Sequence, residues 1–397
     1  MERSLDRLER RLEDDPLTAG LAPADLALLR RMPKAELHLH LDGSLRPTTA
    51  LELARERGLG GDLDLAALAE RLVGPERMTD QAELLRRFEL PIAILQDAEA
   101  LERVAAELVE DVALDGTRYV EVRWGPGLHV RGGLSLPDGI AAVVAGVRAG
   151  RAAVAARSRP GIEVRLIAVA LRSHDPAFNV TVAEASAAFL ADGLTGFDLA
   201  GPEADFPDPL AHAAAYAVAR GAGLGITVHA GEWGGAAQVR RALALGPSRI
   251  AHGAPAGDDP ALLAELRSRS VTLDLCPTSN IQAGNYPAFA AHPLPRIVRS
   301  GAPATLSTDD RTVAALTLVG EYARARASLG LTLAELWRLD RHALEAAFLH
   351  HDEPVRARLL TEFDVFAAAE PLLAGGQPGS ADQPASADRL ASADRLA

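Results

Sequence analysis

Lysine is almost absent from this 397-residue chain: Lys34 is the only one, and every other side chain in the Lys+Arg total is arginine. That scarcity excludes one kind of metal chemistry, the two-ion site bridged by a carboxylated lysine on a middle strand of a barrel. Cysteine is equally scarce. Cys276 stands alone, so no intrachain disulfide can form and a reducing compartment is expected. Positive charge is in deficit, 41 Lys+Arg against 54 Asp+Glu for a net −13, which argues against a nucleic-acid partner. No run approaches the roughly 20 apolar residues of a membrane span. The opening MERSLDRLERRLEDD is charged and has no apolar centre, so it does not read as a signal peptide. A cytoplasmic location without a membrane partner is therefore expected. Nothing in the composition fixes the oligomeric state.

What is present fits a globular fold, with 48% hydrophobic and 24% charged residues. The length allows two domains or one large barrel. Eight short apolar or β-branched runs recur between helical patterns: Ala35–Leu41, Tyr119–Arg123, Ile162–Leu171, Gly196–Leu199, Ile226–His229, Arg249–Ala251, Val271–Leu275 and Pro303–Leu306. Alternating strand and helix implies a parallel sheet, and eight units suggest an α/β fold of the closed (β/α)₈ TIM-barrel type. An open doubly wound sheet is the alternative, but no glycine-rich phosphate loop follows an early strand. Residues 1 to about 32 read as a surface helix leading into a turn. Residues 47–115 are helical in pattern and form an insertion after the first strand, with Leu84, Leu85, Phe88 and Ile92 on one face. The reading is one domain over residues 1–370. Residues 371–397, with SADRLA twice in tandem, carry too little apolar content to join a core and are expected to be disordered.

The unusual polar residues fall where the runs end: HLHLDG at 38–43, EVRWGP, LRSHDP, DLAGPE, VHAGEW, AHG, CPTSN and STDD. In a barrel the carboxyl ends of all strands surround one mouth, where active sites are built. Alternation puts His38 and His40 on one face of their strand. Taken singly, each feature has an ordinary explanation. Histidines can be buried and hydrogen-bonded, Asp309 can cap a helix, and Glu232 can face a helix dipole. Taken together, three imidazoles and a carboxylate make a site for one zinc-like divalent ion with room for water. A metal lowers the pKa of water from 15.7 to about 7. Glu232 could then move a proton at the substrate, and His252 and Asp310 could orient the nucleophile.

PKAELHLHLDGSLRP, FDLAGPE, TVHAGE, RIAHG, CPTSN and STDD, in this order over residues 33 to about 365, resemble the motif series of the adenosine deaminase family. The resemblance implies a (β/α)₈ barrel with one Zn²⁺ per chain, held by His38, His40, His229 and Asp309. It implies Glu232 as the group that protonates ring N1, with His252 and Asp310 positioning the attacking hydroxide. His40, Asp42 and Gly201 would face the substrate, Asp42 through the ribose hydroxyl and the Gly201 backbone at ring N3. The implied reaction is hydrolytic deamination of adenosine or 2′-deoxyadenosine. Alternatives are a 5′-modified adenosine such as aminodeoxyfutalosine, free adenine and, outside that chemistry, another metal-dependent barrel hydrolase. Two departures bear on the substrate. Arg311 follows the Asp pair where the family more often has proline, and either reads a charged or extended substrate or points to solvent. Trp233 and two glycines beside Glu232 are expected to reshape the pocket wall.

Overall fold

A computed structural model describes residues 7–8, 10–157 and 160–374. Eight parallel strands pair in chain order: β1 (Lys34–His40), β2 (Thr117–Trp124), β3 (Glu163–Leu171), β4 (Leu194–Ala200), β5 (Gly225–Ala230), β6 (Arg249–His252), β7 (Thr272–Leu275) and β8 (Ala304–Leu306). All eight expected runs are strands. The ring is completed just past β8, where Asp309 N donates to His38 O at 3.0 Å and His40 N donates to Asp309 O at 2.7 Å. The residues that close the barrel are therefore candidate metal ligands. The strands are buried almost throughout, as parallel strands covered by helices must be.

The amino-terminal segment departs from expectation. It makes short turns at Leu12–Asp14 and Pro16–Thr18, then α1 (Pro23–Arg31), whose Leu28 and Leu29 are wholly buried. A helix read as surface is instead docked on the barrel by its own leucine pair. The insertion after β1 holds α2 (Pro47–Glu56), α3 (Leu65–Leu72), α4 (Gln81–Ile94) and α5 (Ala98–Leu114). Asp64, Asp80 and Asp97 cap the last three, each accepting from a backbone N–H in the first turn. The face of α4 marked by Leu84, Leu85, Phe88 and Ile92 lies over the cavity at the barrel mouth. Helix α5 is the crossover to β2, and it packs into the barrel wall.

After β2, α6 (Leu136–Ala156) corrects a second expectation. By length and composition it is apolar enough to cross a membrane, with a mean hydropathy of 1.4 over its most apolar window. Half of that window is buried inside the barrel protein. Gly146 and Gly150 lie on the α5 side, where an added Cβ would come within 2.2 Å of Glu102 O and 2.6 Å of Ala106 O. The apolar length serves helix-on-helix contact at a spacing only glycine permits. At the other end of the chain, order continues past residue 370. The helix Glu353–Ala369 is followed by a short helix, Pro371–Ala374, whose Leu373 is buried in the core. The rest of the expected tail, 375–397, lies outside the described residues.

The candidate metal and catalytic site

The strand ends bring every expected ligand together. His38 and His40 come from β1, His229 from β5, and Asp309 from the turn after β8. His38 Nε2 is 3.3 Å from His40 Nε2, which is 3.2 Å from His229 Nε2. Asp309 Oδ1 lies 3.0 Å from His38 Nε2 and 3.4 Å from His40 Nε2. A tetrahedral zinc site with bonds of about 2.0–2.1 Å has edges of about 3.3–3.4 Å, so these spacings match one shared ion. One candidate ligand atom from each of the four residues lies within 4.8 Å of all the others.

The chemistry of the donors agrees. Burial pushes the imidazoles of His38 and His40 down, the latter to about 4, which leaves them neutral with lone pairs to give. Burial opposes ionisation of Asp309, yet the surrounding His38, His252 and His40 hold its carboxyl well below the usual range. Asp198 Oδ2 sits 2.8 Å from His229 Nδ1, and its Oδ1 accepts from His229 N. A carboxylate there keeps the proton on Nδ1 and turns the Nε2 lone pair to the metal position. Ser279 Oγ donates to Asp309 Oδ2 at 2.7 Å, fixing the fourth ligand.

Two ends are strained to achieve this. His252 and Asp309 hold left-handed φ angles of 64° and 67°. Such residues cost roughly 1–3 kcal/mol each, and they cluster where function needs a side chain re-aimed. His252 Nε2 lies 3.8 Å from both Glu232 Oε1 and Asp309 Oδ2. Burial and then the Asp309 charge push the Glu232 carboxyl up to about 8, so it carries a proton at neutral pH. Burial, with Asp309, Asp42 and Glu232 as like charges, pushes Asp310 well up. The Asp310 carboxylate lies over Gly43, where an added Cβ would come within 1.7 Å of Oδ1, so only glycine admits it.

These groups floor a cavity of about 270 Å³, near the small end of the roughly 300–1,000 Å³ usual for small-molecule sites. Asp42, Gly201, Val169 and Leu171 form one side, and Leu84, Leu85 and Phe88 of α4 cover it. Gln81 Nε2 donates to Gly201 O at 3.3 Å, tying the α4 cover to the β4 loop. Among the described residues, no arginine or lysine lines this cavity.

Both departures noted in the sequence resolve away from the substrate. Arg311 turns behind the site, where its Nη1 meets Asp115 Oδ2 at 2.7 Å, so it neither reads a ligand in this cavity nor points to solvent. Trp233 does not line the cavity. Its amide and those of Gly231 and Gly234 donate to Glu203, which thereby holds the loop that carries Glu232. The sequence reading missed Asp198, Glu203, Ser279 and Asn280. All four lie in motifs already marked, Asp198 and Glu203 in DLAGPE and Ser279 and Asn280 in CPTSN, with Asp198 a carboxylate inside a buried strand. Lys34 sits at the opposite end of β1, its Nζ donating to Met32 O and Asp115 O at 2.8 and 2.9 Å, away from the metal position.

The adenosine deaminase family profile matches residues 33–365. An adenosine deaminase of Enterococcus faecalis is 36% identical over 325 residues, covering 82% of this chain and 94% of that protein. Among solved structures, an Arabidopsis N6-mAMP deaminase superposes with a TM-score of 0.76 at 29% identity, over 85% of this chain and 99% of that one. A zinc-bound bacterial amidohydrolase superposes with a TM-score of 0.77 at 28% identity, over 90% and 97%. Barrel, ligand geometry and likeness over nearly the whole length agree: this chain belongs to the adenosine deaminase family, hydrolases acting on the C–N bonds of cyclic amidines.

Proposed function

We propose that the chain deaminates adenosine and 2′-deoxyadenosine to the inosine nucleosides and ammonia, with one zinc ion held by His38, His40, His229 and Asp309. The observation that carries the substrate class is the cavity: small, and with no cation among its described lining residues. The similar Arabidopsis protein is named for a nucleotide. A 5′-phosphate entering this cavity would find no guanidinium or ammonium among the described lining residues to answer it. Asp42 favours a sugar over a bare base, because its buried Oδ1 has no hydrogen-bond partner within the protein and can accept from a ribose hydroxyl.

A zinc ion bound by these ligands supplies the acidity that makes water a nucleophile at neutral pH. The chain's own groups do the rest. Glu232, whose carboxyl is pushed up by burial and the Asp309 charge, gives its proton to ring N1, which makes C6 electrophilic. His252 and Asp310 flank the attacking oxygen and fix its approach to C6. The α4 cover keeps bulk water from the reacting face.

The test is a panel of adenosine, 2′-deoxyadenosine, AMP, N6-methyl-AMP, adenine and aminodeoxyfutalosine, followed by absorbance change, with metal content measured on the same sample. The two nucleosides should be turned over fastest by protein holding one zinc per chain. Faster turnover of either nucleotide would overturn the substrate assignment, and two tightly held ions would overturn the single-metal site.

A further inference from the structure

Behind His252 runs a line of hydrogen bonds whose direction is set by a backbone amide. Leu294 N donates to His292 Nδ1 at 3.2 Å. An amide N–H can only donate, so Nδ1 of His292 bears a lone pair and the ring's proton sits on Nε2. Burial, with Arg296 second, pushes the His292 imidazole down to about 3, so the ring is neutral. Its Nε2 lies 3.1 Å from the Asn280 side chain, and the atom it meets must be the acceptor, Oδ1. That leaves Asn280 Nδ2, a donor, 3.3 Å from His252 Nδ1. All three side chains are buried. His252 Nδ1 must then be the lone pair, and the His252 proton is on Nε2, facing Glu232 and Asp309 across the site.

We infer that Asn280 and His292 are positioning residues that lock His252 in its Nε2–H tautomer, so that it serves the nucleophile as a hydrogen-bond donor and not as its base. The inference rests on the role proposed above for His252. It gives a purpose to the segment from β7 to β8. Within it, the short helix Pro277–Gln282 carries Asn280 behind His252 and Ser279 behind Asp309, and the loop beyond carries His292. One short stretch thus sets both a metal ligand and the group beside the nucleophile. With Nε2 already protonated, His252 is not the group that takes the proton leaving the attacking water.

The experiment uses zinc-loaded full-length protein with ring-¹⁵N histidine, the His252→Ala spectrum identifying the His252 signals. The wild type should show a protonated Nε2 and an unprotonated Nδ1 at His252. Asn280→Asp replaces the donor with an acceptor. It should move the His252 proton to Nδ1 and lower kcat about 10- to 100-fold, the usual effect of losing such an outer partner. KM and the zinc content should stay within about twofold of wild type, whereas mere loosening of the fold would move both together. His292→Gln keeps an N–H toward Asn280 and should restore most of the rate that His292→Leu loses. A wild-type His252 with Nδ1 protonated, or an Asn280→Asp variant with unchanged tautomer and rate, overturns the relay without any variant having to fail. A wild-type rate in His252→Ala instead overturns the parent role of His252, and with it the relay's catalytic consequence.

Discussion

At the floor of the barrel Arg249 meets Glu121 and, at 3.2 Å, Asp274, while Arg123 reaches Asp198 at 2.8 Å, all with side chains at 0% exposure. At the mouth of the same barrel Asp42, Glu232, Asp309 and Asp310 gather around four imidazoles, and no cationic side chain joins them among the described lining residues. Both clusters are buried and both are built of ionisable groups. The floor answers its charges with opposite ones, and Arg249 also stacks 3.8 Å over Phe348. Asp274 Oδ2 at the floor makes no hydrogen bond but faces Arg249 Nε at 3.2 Å, whereas Asp42 Oδ1 and Asp310 Oδ1 at the mouth have neither a hydrogen-bond partner nor a cationic side chain among the described lining residues. Buried charge that the protein compensates by itself is architecture. Buried charge left over is a place held for a cation and a polar ligand. Asp198 joins the two, taking Arg123 from below and His229 from above.

The largest break in this comparison comes from taking away the anion the metal needs. Asp309→Ala should lose zinc and with it measurable turnover, read by metal analysis beside a nucleoside assay. Next is Glu232→Gln, which should keep one metal per chain and the fold while turnover falls by as much as about 10⁴-fold, the upper range for a lost proton donor. A Glu232→Gln enzyme with near-normal kcat would mean that the carboxyl's raised pKa reflects burial alone.

Much of the mouth was legible in the sequence because histidines and carboxylates that each have an ordinary explanation alone recur together at the ends of apolar strands, in an ordered series of motifs. His38, His40, His229, Glu232, His252, Asp309 and Asp310 all stand at such ends, and the fold gathers them. The supporting groups were harder to read. Asn280 and Ser279 look like residues of a helix first turn, and Glu203 looks like a loop carboxylate. Their partners lie about 30 residues away, across a strand-to-strand step that only the barrel closes. Arg311 was misread because its partner, Asp115, belongs to the far end of the inserted helices. The docked α1 was misread because Leu28 and Leu29 are too short a pattern to reveal a buried face.

The floor makes the opposite prediction from the mouth. Arg249→Met strands Glu121 and part of Asp274 without a counter-charge, which should destabilise the fold by about 3–5 kcal/mol. Chemical denaturation measures this. The protein that remains folded should keep its metal and a kcat within about threefold of wild type, because Arg249 touches neither. Loss of metal at equal folded fraction would show that the two clusters are one unit, coupled through Arg123 and Asp198.

The finest test lies at Asp42, on the wall of the cavity. Burial opposes its ionisation, but His129, whose Nε2 is 3.7 Å from Oδ2, holds the carboxyl below its usual range, so Asp42 is an anion with one oxygen to spare. A hydrogen bond to a charged acceptor is worth about 1.5–3 kcal/mol, so Asp42→Ala should raise KM for adenosine about 10- to 100-fold. The metal content should not change, because Asp42 is no ligand. Any residual turnover of adenine, which offers no ribose hydroxyl, should fall far less. Equal losses on adenosine and adenine would show that Asp42 acts on the charge balance of the mouth as a whole, placing it with the metal and not with the sugar.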